Sequence, residues 1–96
     1  MIKTSELEKF EYTLKNGWQT AVHWPELAQY LETQGFTARS KMPEYSLKVS
    51  FGNWHIWKVG RWTAAQLKDN RYQNHEFFDP GFEGLASALN FVLERG

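Results

Sequence analysis

The chain contains no cysteine, so disulfide staples and thiolate chemistry are both excluded, which fits a reducing compartment. No apolar run approaches the length of a membrane span, and the opening MIKTSELEKFEY holds no stretch of signal-peptide hydrophobicity. A soluble, cytosolic protein is expected. Also missing are a Gly-rich phosphate loop, a G-x-S-x-G elbow and an H-E-x-x-H pair. His75-Glu76 is the only adjacent acid–base pair, and neighbours on a strand point to opposite faces. His55 and His75 fall two strands apart, about 10 Å or more at the usual strand spacing, too far to share a metal without a third ligand. A nucleophile or base with an orienting partner is not visible. The expectation is therefore no catalysis, no cofactor and no metal.

Aromatic residues are what the chain has in quantity: 7 Phe, 5 Trp and 4 Tyr, 17% of the sequence. Each can remove about 150–250 Å² from water when buried, so one core is feasible without staples. At 96 residues the chain is expected to form a single domain spanning 1–96. The 23% charged fraction, together with clear periodicity, argues against disorder.

Basic and acidic residues cancel at 11 each, yet they are unevenly spread. Residues 1–34 carry three Lys against five Glu, and residues 73–96 carry Arg95 against four acidic groups. Between them, residues 35–72 hold seven Lys or Arg against Glu44 and Asp69. A neutral total argues against strong nonspecific binding to nucleic acid, while the basic middle leaves room for a focused anionic contact.

The expected fold class is α+β, with two N-terminal helices, a four-stranded antiparallel meander and a C-terminal helix packed on one sheet face. The first helix is placed at Ser5 to about Lys15, opened by the capping box Ser5-x-x-Glu8, striped by Leu7, Phe10 and Leu14, and ended by Asn16-Gly17. Trp18 to Val22 reads equally as a strand or as a lead-in. The second helix starts at Pro25, and Gly35-Phe36 has the form of a Schellman ending. Phe36 to Pro43 is a connector with room for a helical turn or a strand. The last helix follows the cap Asp79 and Pro80, and Phe82, Leu85, Ala86, Leu89, Val92 and Leu93 form its apolar face.

The meander runs from Tyr45 to Phe78, with two-residue turns at Gly52-Asn53, Gly60-Arg61 and Asp69-Asn70. Such turns set the register. One face then carries the rows Phe51–Trp54–Leu67–Tyr72, Val49–Ile56–Ala65–Asn74 and Leu47–Lys58–Thr63–Glu76, and is the core face. Lys58 and Glu76 sit at its edge, placed to pair. The other face carries Ser50–His55–Gln66–Gln73, Lys48–Trp57–Ala64–His75 and Ser46–Val59–Trp62–Phe77. Aromatic residues therefore occupy both faces.

The second face is the candidate site: Trp57, Trp62, Phe77, Lys48, His55 and His75. If a helix covers it, the tryptophans are core. If it is open, it suits a partner protein or a second copy of the chain, since interface centres favour Trp, Tyr, Phe and Arg. The function expected is protein recognition by a small regulator, inhibitor or immunity-type factor. The alternative is single-stranded nucleic acid stacked on Trp57, Trp62 and Phe77 beside Lys48, Lys68 and Arg71. The order helix, strands, helix from Pro25 onward resembles double-stranded-RNA-binding domains, but the last helix opens with DPGFEGLASA, acidic where those domains are basic. PELAQYLETQGFTARSK has a helix–turn–helix rhythm, yet its second helix would be cut by Pro43 and offers only Arg39 and Lys41. No family is assigned.

Overall fold

The computed structural model describes residues 1–95. In chain order the elements are α1 (Thr4–Glu8), β1 (Glu11–Thr13), β2 (Thr20–Val22), α2 (Trp24–Thr33), β3 (Thr37–Lys41), β4 (Tyr45–Phe51), β5 (Trp54–Val59), β6 (Arg61–Lys68), β7 (Arg71–Phe78) and α3 (Phe82–Arg95). The class is α+β. Strands β3 to β7 form one antiparallel sheet in sequence order, and β1 and β2 form a separate hairpin.

Two boundaries differ from the sequence expectation. The first helix is one short turn, with the Glu6 carboxylate accepting the Lys3 main-chain N–H at 3.2 Å, so Ser5 lies inside the helix and caps nothing. Beyond it, Glu11–Thr13 pairs with Thr20–Val22, and His23 donates its N–H to the Phe10 carbonyl at 2.8 Å to close the hairpin base. Asn16-Gly17, expected to end a helix, instead turns the chain between two strands, with Gly17 at φ +71° and the Asn16 side-chain oxygen accepting the N–H groups of Trp18 and Gln19 at 2.9 and 3.2 Å. The second difference is the strand count: the connector after α2 takes its strand alternative, with Thr37–Lys41 pairing with β4, so the meander has five strands where four were expected. A recognition helix over Thr37–Met42 is therefore ruled out.

The α2 ending matches its signal. Gly35 adopts φ +96°, Phe36 donates its N–H to the Leu31 carbonyl and Gly35 to that of Glu32, both at 3.1 Å. This is the Schellman pattern, and it turns Phe36 back into the core.

All three helices pack on one side of the sheet. Helix α2 lies against β3 and β4, α3 against β5, β6 and β7, and α1 beside α3. Between helices and sheet lie Leu27, Leu31, Leu85, Leu89 and Val92 against Leu47, Val49, Trp54, Ile56 and Trp62. Trp54 meets Phe91 edge-on at 5.3 Å, and Trp24 meets Trp62 at 6.2 Å. Gly84 is buried on α3, where any side-chain carbon would collide with the main chain of Asp79.

Register decides which residues reach the far side. At Gly52-Asn53 the pairing is the expected one, Phe51 opposite Trp54 and Val49 opposite Ile56. At the next turn it is not. Gly60 alone separates β5 from β6, so Val59 faces Arg61 and Lys58 faces Trp62. That one-residue difference exchanges the faces of β6, because side chains alternate with a period of two. Trp62, Ala64 and Gln66 turn to the core side, and Thr63, Ala65 and Leu67 to the other.

A second irregularity follows in β7. Its first pairs are as expected, Lys68 with Arg71 and Leu67 with Tyr72, so Tyr72 inherits the exchanged face. Between Gln73 and Glu76 one extra residue is accommodated, with Asn74 at φ +58° and its amide donating to the Gln66 side-chain oxygen at 2.8 Å. The bulge reverses the exchange. Thr63 then pairs with Phe77 and Ala64 with Glu76, which returns His75 and Phe77 to the expected face.

Candidate functional site

Among the described residues no helix covers the outer face of the sheet. Its central strands contribute His55 and Trp57 from β5, and β7 contributes Tyr72, His75 and Phe77. Trp57 and Tyr72 have ring centroids 4.9 Å apart, and His55 meets Tyr72 edge-on at 5.6 Å. His75 stands edge-on to Trp57 at 6.5 Å and stacks on Phe77 at 6.4 Å. These groups form one continuous cluster. Thr63 and Ala65 between the two strands are buried although they point away from the helices, so the aromatic side chains themselves act as their cover. Phe77 remains 60% exposed and Tyr72 45% exposed.

Two cations bracket the cluster. The Lys48 ammonium lies 4.4 Å from the Tyr45 ring centre, and the Arg61 guanidinium 5.9 Å from that of Phe77. Arg39 stands opposite Lys48 on β3 and so shares its face. Glu76 is the only acidic residue within the five strands, and it pairs with Ala64 on the helix side. Ion pairs among the described residues are Lys41 with Glu44 and Arg95 with Glu94, so none engages Arg39, Lys48 or Arg61. A shallow cleft of about 230 Å³ is lined by Lys48, His55, Trp57 and Tyr72 with Val49 and Ile56. A second, of about 390 Å³, is lined by Thr37, Arg39, Tyr45, Lys48, Ser50 and His55 among others.

The structure thus gathers Lys48, His55, Trp57, His75 and Phe77 on one open face. Trp62 does not belong with them. It is 1% exposed and packs between Trp24 and the Lys58 chain, whose ammonium lies 5.7 Å from its ring. The expected Lys58–Glu76 pairing gives way to this contact. Lys68 and Arg71 face each other at the Asp69-Asn70 turn, away from the cluster centre. Tyr72, Arg61 and Arg39 are members that sequence reasoning overlooked. The expected register puts Tyr72 on the core face, and the one-residue turn at Gly60 is what moves it to the outer one.

Chemically the surface can offer apolar contact, ring edges and positive charge. Among the described residues no group of three or more His, Cys, Asp or Glu is placed to hold a metal ion. No helix among the described residues is long and apolar enough to cross a membrane. Compared with known proteins, the chain matches no family model, no curated protein and no solved structure.

Proposed function

We propose that this chain is a small non-enzymatic binding module, a regulator, inhibitor or immunity-type factor that recognises a partner protein through the outer face of its sheet. The observation that carries the reading is the uncovered cluster of His55, Trp57, Tyr72, His75 and Phe77. Interface centres are enriched in aromatics and arginine and depleted in acidic residues, and this face has that composition. The free sheet edges suit a partner less well. Strand β3 carries Arg39 and Lys41 with a register break between them, and β7 carries the Asn74 bulge; both devices discourage strand addition.

A second reading, single-stranded nucleic acid on the same face, is favoured by one observation: no ion pair among the described residues engages Arg39, Lys48 or Arg61. The ring geometry supports it less. Trp57, Tyr72, His55 and His75 pack against one another at tilted or edge-on angles, whereas base stacking needs free ring faces at intervals along the strand.

The test is capture from a lysate of the source cells with wild type and a Trp57→Ala/Phe77→Ala variant, the variant's fold being checked by circular dichroism. A defined protein retained by wild type and lost by the folded variant is the expected result. Nuclease-sensitive material lost in the same manner would favour the second reading. Identical capture by both proteins would remove the outer face from consideration.

A further inference from the structure

We infer that the partner presents a carboxylate-rich surface to this sheet face, with an apolar side chain at its centre that meets Trp57. The inference rests on the partner-binding reading and adds the partner's chemical class. Its basis is the sign and placement of charge. Arg39, Lys48 and Arg61 lie on the outer face, Glu76 is turned to the opposite side, and no ion pair within the described residues neutralises any of the three cations. Lys48 and Arg61 sit at opposite ends of the aromatic cluster, each held over a ring. A ring beneath a cation orients it and leaves its hydrogen-bond donors directed outward.

This arrangement selects among occupants. A second copy docked by a two-fold axis would bring together two faces that each carry these cations and no strand carboxylate, and like charges brought together across an interface are strongly unfavourable. A basic or neutral partner would leave three cations desolvated without compensation. Nucleic acid supplies negative charge but also demands free stacking faces, which the mutually packed rings do not offer. An acidic protein surface meets both requirements. Opposed charges flanking an apolar centre would also steer encounter and fix orientation.

The experiment uses the full chain, isotopically labelled, and follows its amide and indole NMR signals on addition of three probes: a glutamate–tyrosine copolymer, polylysine and an oligothymidylate. Expected are shifts centred on Lys48, Trp57, Arg61 and Phe77 with the acidic copolymer and none with polylysine. A Lys48→Glu/Arg61→Glu variant should weaken the copolymer by about tenfold or more while keeping a native spectrum. If that variant misfolds, Lys48→Gln/Arg61→Gln serves the same purpose. Shifts elsewhere on the molecule, no shifts with the copolymer, or unchanged affinity in the charge variants would overturn the inference. Tighter binding of the oligothymidylate at the same residues would overturn it in favour of nucleic acid, and a dimer formed through this face would overturn it in favour of self-association. The two proposals fail separately. A partner lost by Trp57→Ala/Phe77→Ala but kept by Lys48→Glu/Arg61→Glu leaves partner binding standing and removes the acidic class.

Discussion

The carboxamide of Asn90 satisfies both main-chain polar groups of Ile2, accepting its N–H at 2.7 Å and donating to its carbonyl at 2.8 Å. A side chain on α3 thus stands in for a neighbouring strand and fixes the N-terminus, with Ile2 itself only 4% exposed. Asn90→Ala leaves two partly buried backbone groups without partners and should cost about 1–3 kcal/mol in urea denaturation. Asn90→Asp keeps the acceptor and loses the donor, so it should fall between Ala and wild type at neutral pH. Equal stability of all three proteins would show that the clasp contributes nothing.

Tyr30 donates its hydroxyl hydrogen to the Glu6 carboxylate, joining α2 to α1. Burial, and then this bond, raise the Tyr30 pKa to about 12, while the same bond is the main cause of the lowered Glu6 pKa. The sign follows from which form the fold prefers. The Tyr30 contribution is fully present below the ordinary tyrosine value of 10.0 and is lost as pH rises from there toward about 12. The Glu6 contribution is present above 4.5 and is lost as pH falls below it. Tyr30→Phe should flatten the alkaline limb of a plot of urea midpoint against pH and soften the acid limb. An unchanged profile would deny the coupling.

Gly84→Ala tests the close approach of α3 to the chain leading into it. In an open helix this change would add about 1 kcal/mol of stability. Here the new methyl group meets the rigid main chain of Asp79, and the expected outcome is a loss of about 1–3 kcal/mol. A raised melting temperature would show that the turn can yield.

The two central tryptophans should part company. Trp62→Ala empties a fully buried site between α2 and the sheet and should cost about 3–5 kcal/mol. Trp57→Ala removes a half-buried member of the outer cluster and should cost about 1–2 kcal/mol. Thermal denaturation of the two single variants decides it. Comparable losses would mean that the outer cluster is a second core.

That pair also shows how far the sequence could be read. The Gly52-Asn53 turn, the Asp69-Asn70 turn with φ +54° and +61°, and the α2 ending at Gly35 each carry a local steric requirement, and each was legible. The stripe Leu7, Phe10, Leu14 was not decisive, because the same residues serve a short helix followed by a hairpin. Glycine at position 60 announces a positive φ, and has one, but does not state how many residues the turn holds. Asn74 gave no signal beyond asparagine's tolerance of left-handed geometry. The errors at Gly60 and Asn74 cancel for every residue after the bulge. Hence His75 and Phe77 lie on the expected face of the sheet, while Trp62 and Tyr72 each lie on the face opposite to the expected one.

The pairing order of the large sheet has a kinetic consequence. Each strand bonds only to its neighbours in sequence, so every ladder can form after closing a short loop. The Ile2–Asn90 closure instead joins residues 88 positions apart, and its entropy is lost only when both ends are already held. Assembly should therefore spread outward from the middle of the chain and seal the N-terminus last. In stopped-flow kinetics Asn90→Ala should speed unfolding and leave the folding rate unchanged. A protein built in this order can shed its first residues and redock them while the sheet that carries the aromatic face stays intact.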